Sequence, residues 1–389
     1  MRVAFTLIGG KNWTGGQNYL LNLLDVLVRY QADTLTPVLF VGEDGAEAAI
    51  PFHAIAGLEV IHTSCLDMRR RKSALLEAML WGKNSCLERV FRQHRIDLVF
   101  ESAQFFGWRL GMPAIAWIPD FQHRGLPHLF SRGAWWNREI GFRAQVAAGR
   151  TIMLSSEDAR RACERYYAST RGRTRTVHFA IPPGCKIAYA EARAIANTYN
   201  LPEQFIFMPN QFWRHKNHEL VLEALMILKQ RGKHIVIAAS GKQADPRDPD
   251  YFPGFMAALK KRDMEQSFRL LGLIPYAHLA PLMRSCIAVL NPSLFEGWST
   301  TVEEARTMGT PMMLSDLEVH REQMGEHAIY FQRKSAHSLA NALEGIEATD
   351  PAQRELQVEA ARDAALQRAE QFARDFVSLA KHCVSQRQI

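Results

Sequence analysis

Short apolar runs of β-strand length alternate with longer stretches of helical periodicity along most of the chain. Val3–Ile8 predicts a strand, and Tyr19, Leu20 and Leu23 follow it at helical spacing. Strands separated by helices in this way form βαβ units, in which the strands pair in parallel. The pattern therefore indicates the α/β class of folds, with doubly wound parallel sheets.

The alternation occurs in two series, divided by a segment that begins at Pro182-Pro183-Gly184 and ends at Leu201-Pro202. At about 100–200 residues per domain, 389 residues suit two domains. We predict two Rossmann-like domains, one N-terminal and one C-terminal. Their predicted ranges are 1–183 and 203–370, with a linker over 184–202 and a C-terminal helix over 371–389 that packs back toward the N-terminal domain. Ligands of such sheets bind outside the carboxyl ends of the strands, so two facing domains would share one cleft.

The positive charge is concentrated in the first half of the chain. Residues 1–200 hold 25 Lys and Arg against 17 Asp and Glu, whereas the remainder holds 22 against 23. The densest cluster, Arg69, Arg70, Arg71 and Lys72, lies beside the apolar Leu75. This spacing fits an amphipathic helix on an anionic membrane surface, and equally a solvated helix face. We predict no nucleic-acid partner, because the basic residues show no stacking-aromatic pattern of a recognisable module.

The six cysteines are scattered, and none has CxxC or zinc-ligand spacing: Cys65, Cys86, Cys163, Cys185, Cys286 and Cys383. Single cysteines are typical of a reducing compartment. The apolar start of the chain is too short for a signal peptide, and no run reaches the ~18 apolar residues that span a bilayer. We predict a cytoplasmic protein, with peripheral attachment to the inner membrane face as an option.

The most specific group of candidate site residues lies between Asn291 and Ala305, where a predicted strand is followed by a predicted helix. A helix start presents free backbone N–H groups and a positive dipole end to an anion. Glu296 and Glu304 flank this start, and carboxylates accept strong hydrogen bonds from sugar hydroxyls. Alternatively, Thr301-x-x-Glu304 is simply a capping box.

This string resembles the donor-site signature of the retaining glycosyltransferases of family 4, which have the GT-B fold. The matching positions are Pro292-Ser293, Glu296-Gly297, Glu304-Ala305, Gly309-Thr310-Pro311 and Ser315-Asp316. The resemblance implies that Glu296 contacts the transferred sugar, that Glu304 binds the donor ribose, and that backbone amides near Ser299 and Thr300 hold the diphosphate. Gly297, Trp298 and Thr301 complete this donor-binding set, and Ser299 stands where the family usually has Gly.

A second candidate group follows the first strand of the second series and runs from Pro209 to His218. Lys216 matches a Lys of the family, whereas Gln211 stands where the family has Arg, and Arg214 is a candidate substitute. Cations at a strand end neutralise the charge that grows on a leaving diphosphate. Asn210 and Gln211 join the predicted donor-binding residues, and a basic surface loop is the alternative.

Two further segments resemble the family near the reacting groups. Gly15 and Gly16 fit the place of its Gly-Gly pair, in a loop that is neither GxGxxG nor a P-loop and in which Lys11 and Asn12 are candidate acceptor-side residues. Asp120 matches the Asp of a His-Asp pair, but Pro119 replaces the His. His123 is a candidate for that role, with a loop surface as the alternative. Ile274 lies in a segment resembling the one that meets the nucleotide base.

The resemblance therefore implies a retaining, metal-independent hexosyltransferase, with an acceptor-side N-terminal domain and a donor-binding C-terminal domain. It would move a sugar from a nucleoside diphosphate donor, UDP- or GDP-linked, to a saccharide or lipid-diphosphate-linked acceptor in surface polysaccharide or glycolipid synthesis. Glu296, Lys216, Arg214 and Asp120 are the predicted catalytic residues, and no cofactor is predicted beyond the sugar nucleotide. A sugar-nucleotide sensor or scaffold without transferase activity and a nucleotide-sugar epimerase are the alternatives.

Overall fold

The computed structural model describes residues 1–7, 14–102 and 104–386. They form two compact units. The first comprises Met1–Phe121, Arg132–Pro182 and Gln367–Ile389, and the second comprises Gln122–Ser131 and Pro183–Leu366. Lys11 and Asn12, predicted from the sequence as acceptor-side residues, lie outside the described residues.

The first unit is built on a seven-stranded parallel sheet of order β3-β2-β1-β4-β5-β6-β7. Its strands are β1 (Arg2–Thr6), β2 (Thr36–Val41), β3 (Glu59–His62), β4 (Leu98–Ser102), β5 (Ala114–Trp117), β6 (Thr151–Leu154) and β7 (Thr174–Thr176). The strand order reverses between β1 and β4, which is the doubly wound arrangement. The sequence predicts the first six strands from the apolar runs Val3–Ile8, Pro37–Val41, Leu58–His62, Asp97–Phe100, Ala114–Ile118 and Thr151–Leu154. It does not predict β7, which is three residues long and polar.

The second unit is built on a six-stranded parallel sheet of order β10-β9-β8-β11-β12-β13. Its strands are β8 (Ile206–Pro209), β9 (Ile237–Ser240), β10 (Phe268–Gly272), β11 (Ala288–Asn291), β12 (Met312–Ser315) and β13 (Ile329–Phe331). Here the order reverses between β8 and β11. Two parallel sheets confirm the predicted α/β fold class, although β13 was not predicted.

The helices cover the sheets with their apolar faces. They are α1 (Thr14–Gln31), α2 (Ala46–Ala49), α3 (Arg71–Leu80), α4 (Ser85–Gln93), α5 (Gln122–Gly125), α6 (Arg132–Ala147), α7 (Glu157–Tyr166), α8 (Tyr189–Thr198), α9 (His218–Gln230), α10 (Tyr251–Lys261), α11 (Leu279–Ser285), α12 (Thr300–Thr307), α13 (Glu318–Met324), α14 (Ala336–Glu344) and α15 (Pro351–Ser385). In α1, Leu20, Leu23 and Leu27 recur at helical spacing and are buried, as that spacing predicts. In α9, Leu225 and Leu228 are buried in the same way.

The charged C-terminal tail forms one helix of 35 residues, α15. Its C-terminal part packs in the first unit through aromatic contacts. The Phe376 ring lies 5.6 Å from the ring of Phe5 and 5.6 Å from that of Phe100. The Phe372 ring lies 5.7 Å from that of Phe179. These apolar contacts, rather than helix propensity alone, hold a helix in which charged residues are frequent.

Two cysteines contradict the prediction of single thiols. Cys65 and Cys86 form a disulfide, with their Cα atoms 5.9 Å apart, whereas Cys163, Cys185, Cys286 and Cys383 are free. The spacing of 21 residues gave no signal, because the two cysteines meet only through the fold of the segment between β3 and α4.

Among the described helices, none combines the length and the apolar character needed to cross a bilayer.

Candidate functional site

Two loops meet at the point where the strand order of the second sheet reverses. One follows β8 and ends in the 3-10 turn Arg214–Lys216, and the other follows β11 and leads into α12. The Leu294 N–H donates to the carbonyl oxygen of His215 at 2.8 Å, and Asn217 Nδ2 donates to that of Pro292 at 3.1 Å. In sheets of this type the crevice beside the reversal point is the ligand site.

The two loops bring Lys216 and Glu296 into contact. Lys216 Nζ lies 2.6 Å from Glu296 Oε1, and the two side chains are 14% and 10% exposed. Ser293 Oγ donates to the same carboxylate oxygen at 2.7 Å. A cation and a carboxylate, both largely withdrawn from water and paired, form a polar centre whose charges interact more strongly than surface charges do.

A buried hydrogen-bond network fixes the loop that carries Glu296. Ser293 Oγ lies 2.6 Å from Asn291 Oδ1, and Asn291 Nδ2 donates to Ser299 Oγ at 2.9 Å. Gln323 closes the network, since its Oε1 accepts from the Ser299 N–H at 3.1 Å and its Nε2 donates to the Ser299 carbonyl at 3.1 Å. Sequence reasoning missed Gln323, which lies 24 residues away in α13 and has no local motif.

The start of α12 is capped by Ser299, whose hydroxyl accepts from the Val302 N–H at 3.4 Å. The first N–H groups of a helix have no intrahelical acceptor, and the helix dipole is positive there. Because the Ser299 N–H already donates to Gln323, the backbone amides of Thr300 and Thr301 are the ones that the helix start offers to an anion. Thr301 Oγ1 donates to the carbonyl oxygen of Pro209 at 3.3 Å, which ties this helix start to the end of β8.

Glu304 lies one turn further into α12 and is half-buried. Its withdrawal from water raises the pKa of the carboxyl group to about 7, partly offset by a hydrogen bond from Tyr276. The Tyr276 hydroxyl donates to Glu304 Oε1 at 3.3 Å. Ile274, which the sequence predicts to lie near the base, comes two residues before Tyr276 and is half-buried. Leu273 beside it is 75% exposed.

The segment after β8 contains a buried amide side chain. Asn210 is 2% exposed, and its Oδ1 and Nδ2 have no hydrogen-bond partner within the described part of the chain. The Asn210 backbone leaves no space for a side chain at Gly241, where an added Cβ would lie 2.5 Å from the Asn210 carbonyl oxygen. Gln211 Oε1 accepts from the Lys242 N–H at 2.9 Å, so Gln211 links the ends of β8 and β9.

Arg214 turns toward the loop after β9 in this structure. Its Nη2 lies 2.7 Å from Asp248 Oδ2, and the guanidinium carbon lies 5.3 Å from the centre of the Tyr251 ring. The Arg214 side chain is 46% exposed. A ligand phosphate that contacted Nε and Nη2 of Arg214 would have to displace Asp248 from them.

Arg247 is a cation near Lys216 that sequence reasoning did not select. Its Nη2 lies 3.1 Å from Nδ1 of His215, the neighbour of Lys216, and its guanidinium carbon lies 5.3 Å from the Trp213 ring centre. Asp245 holds it through Arg247 Nε at 3.2 Å. Burial and the nearby cations Lys216 and Arg247 hold the pKa of His215 well below its usual value. His215 is therefore neutral at pH 7.

The remaining predicted residues lie in other elements of the described structure. Gly15 and Gly16 form the first turn of α1 in the first unit. Asp120, also in the first unit, pairs with Arg138 at 2.8 Å. His123 lies in α5, belongs to the second unit and is fully buried. The residues that the structure describes contain no group of three or more His, Cys, Asp or Glu side chains placed to hold a metal ion.

Comparison with known proteins matches the second unit to a family. Residues 192–364 match the family model of the glycosyl transferases group 1. No curated protein matches the sequence.

Solved structures resemble the chain over almost its full length. A glycosyltransferase from Rickettsia africae is 12% identical, with a TM-score of 0.70 over 98% of this chain and 97% of that one. Anabaena HepE in complex with UDP and glucose is 15% identical, with a TM-score of 0.71 over 98% of this chain and 100% of that one. WaaG, a glycosyltransferase involved in lipopolysaccharide biosynthesis, is 16% identical, with a TM-score of 0.60 over 96% and 99%.

The protein therefore has the GT-B fold, as the sequence predicted. It carries a glycosyl transferases group 1 domain over residues 192–364, and its predicted enzyme class, glycosyltransferase, is confirmed. Membership of family 4 stays a prediction.

Proposed function

We propose that the protein is a retaining, metal-independent glycosyltransferase whose nucleoside diphosphate sugar lies at the strand reversal between β8 and β11. The observation that carries the proposal is the contact of Lys216 with Glu296 beside the start of α12. Anabaena HepE, which shares the fold, has been solved with UDP and UDP-glucose. By analogy the donor is a UDP-sugar, with a GDP-sugar as the other candidate.

In this proposal the backbone amides of Thr300 and Thr301 and the Lys216 ammonium bind the diphosphate. Arg214 joins them after leaving Asp248. Glu304 accepts from the ribose hydroxyls, Ile274 lies against the base, and Glu296 binds the transferred sugar. The proposed donor pocket is completed by Asn210, Gln211, Gly297, Trp298 and Ser299. Gly15 and Gly16 stay predicted donor-binding residues.

The reaction breaks the bond between the anomeric carbon and the diphosphate oxygen, and the acceptor oxygen forms its new bond on the same face of the sugar. The acceptor proton leaves with the diphosphate. Charge develops on the leaving oxygen, so the cations and helix dipole near it bind the transition state more tightly than the substrate. Asp120 and His123 stay predicted residues of the reacting centre and the acceptor side.

The acceptor is a saccharide or a lipid-linked saccharide in this proposal, and the basic cluster Arg69–Lys72 attracts an anionic membrane surface. Replacing all four cations by Ala should abolish flotation of the protein with vesicles that contain phosphatidylglycerol. If flotation is unchanged, the membrane contact is wrong. The donor site is untouched by this variant, so nucleotide binding serves as the control.

Thermal unfolding in the presence of UDP, GDP, ADP and dTDP tests the donor site. A ligand at ~100 times its dissociation constant stabilises the folded state by about 2.7 kcal/mol. We expect one nucleotide to stabilise the wild type and Lys216→Ala to lose most of the effect. If none of the four shifts the wild type, the proposed donor site is wrong.

A further inference from the structure

A cavity in the first unit lies between α3 and α6, and none of the residues assigned to the donor lines it. Its volume is about 470 Å³. Apolar groups form much of its wall, among them Leu66, Leu75, Phe105, Phe106 and Phe142. Volumes of about 300–1,000 Å³ with mostly apolar walls are usual for small-molecule sites.

The polar groups in the wall are largely paired within the protein. Asp67 accepts from the Glu43 N–H at 2.9 Å and pairs with Arg69 at 3.1 Å. Asn84 Oδ1 accepts from the Leu87 N–H at 3.1 Å, and Gln145 Nε2 donates to the carbonyl oxygen of Gln104 at 3.0 Å. Because these groups are already satisfied, a ligand segment inside the cavity needs few polar atoms of its own.

The rim carries exposed cations as well as exposed apolar side chains. Arg71 lines the cavity, is exposed and has no ion pair among the described residues. Lys72 follows it and is also exposed. Leu76 and Trp81, on the same helix and at its end, are 57% and 70% exposed. An apolar interior with a cationic rim complements a molecule that has an apolar chain and an anionic head.

We propose that this cavity binds the apolar chain of an anionic amphiphile, with its phosphate head at Arg71. The proposal rests on the proposed function in one respect: the amphiphile is the carrier of the acceptor. Binding of the amphiphile itself does not depend on the donor.

Two glycines of α6 provide a matched test. Gly141 lines the cavity and an added Cβ would meet nothing within 4 Å, so Gly141→Phe adds an aromatic ring at the cavity wall without a clash at Cβ. Gly133, in the first turn of the same helix, is equally open but does not line the cavity. Gly133→Phe is therefore the control for the effect of a new aromatic side chain on α6.

The probes are alkyl phosphates of six to twelve carbons, titrated calorimetrically below their critical micelle concentrations and without nucleotide. We expect affinity to rise about fourfold for each added methylene until the cavity is full. Gly141→Phe should weaken dodecyl phosphate binding at least tenfold, Gly133→Phe should leave it unchanged, and Arg71→Gln should weaken it several-fold.

Three results would overturn the proposal. They are equal binding by Gly141→Phe and the wild type, equal loss in both glycine variants, and binding of dodecyl maltoside as tight as that of dodecyl phosphate. Nucleotide-induced thermal stabilisation is measured in the same variants. If alkyl phosphates bind while no nucleotide does, the proposed transferase function fails and the cavity assignment stands. If a nucleotide binds while no alkyl phosphate does, only the assignment of the cavity fails.

Discussion

Lys216 Nζ lies 2.6 Å from Glu296 Oε1, although 80 residues separate them in the chain. The contact joins the loops after β8 and β11, and Ser293 Oγ donates to the same oxygen. The carboxylate thereby positions a cation at the helix start where the proposed donor places its diphosphate. This arrangement gives distinct predictions for the two members of the pair.

Lys216→Ala should weaken nucleotide diphosphate binding by about tenfold or more, since contacts to charged groups are worth about 1.5–3 kcal/mol. Glu296→Gln should instead lower the rate of sugar transfer while changing nucleotide affinity little, because Glu296 is assigned to the sugar and the amide oxygen of Gln can still accept from Lys216. Titration calorimetry with the nucleotide and a transfer assay separate the two effects. Lys229→Ala, which removes an exposed surface cation of α9, is the control and should change neither.

Ser299→Ala should destabilise the protein more than an ordinary cap removal. The hydroxyl caps α12 and also accepts from the buried Asn291 Nδ2. Loss of a cap costs about 1 kcal/mol, and an unpaired buried donor adds about 1–3 kcal/mol. Urea unfolding measures the difference. Ser335→Ala, at the N-cap of α14, is the matched variant and should show the cap cost alone. Equal costs in the two variants would contradict the network.

The affinity for nucleotide should rise with pH around neutrality. The pKa of Glu304 is raised to about 7, so its carboxyl group becomes a full acceptor for ribose hydroxyls only above that pH. We expect tighter binding at pH 8 than at pH 6, and Glu304→Gln should flatten the profile. A pH dependence that survives in Glu304→Gln would assign the effect to another group.

Glu304 also predicts that the stability of the folded protein falls as pH rises, whereas nucleotide affinity rises. An unfolded Glu ionises near pH ~4.3, whereas the folded one stays protonated to about pH 7. The unfolded state therefore releases its proton first, and Glu304 disfavours the folded state increasingly as pH rises between these values. Glu304→Gln should gain stability relative to the wild type over that interval in denaturant unfolding. A constant difference across pH would argue against the raised pKa.

Arg214 should contribute to phosphate binding only at the expense of its ion pair with Asp248. Asp248→Asn is expected to raise nucleotide affinity modestly in the wild type, because it releases Arg214. In the Arg214→Ala background the same change should have no effect. A double-mutant cycle measures this coupling directly. Additive effects would show that Arg214 does not exchange partners on binding.

The sequence predicted the long-range architecture well and the local exceptions poorly. The strands with apolar runs were recognised, because burial on both faces of a parallel sheet leaves a continuous apolar signal. Thr174–Thr176 and Ile329–Phe331 were missed because three residues at a sheet edge carry too little pattern. Lys216 was selected by motif, whereas Arg247 and Gln323 reach the site only through tertiary structure.

The predicted role of Arg214 illustrates the same limit. The sequence places the residue in the loop after β8, but the direction of the side chain depends on Asp248 and Tyr251, which lie in a later part of the chain. No local pattern contains that information. The pairing of Cys65 with Cys86 depends in the same way on chain path rather than on spacing.

The Cys65–Cys86 bond has a consequence for covalent connectivity. The whole of α3, with Arg71 and Lys72, lies between the two bonded residues. A protease that cuts once within 66–85 would therefore leave a nicked molecule in one covalent piece, which separates into two fragments only on reduction. The helix that bears the basic and apolar rim therefore lies within a loop closed by the disulfide. A single backbone cut in this loop does not release the helix from the protein.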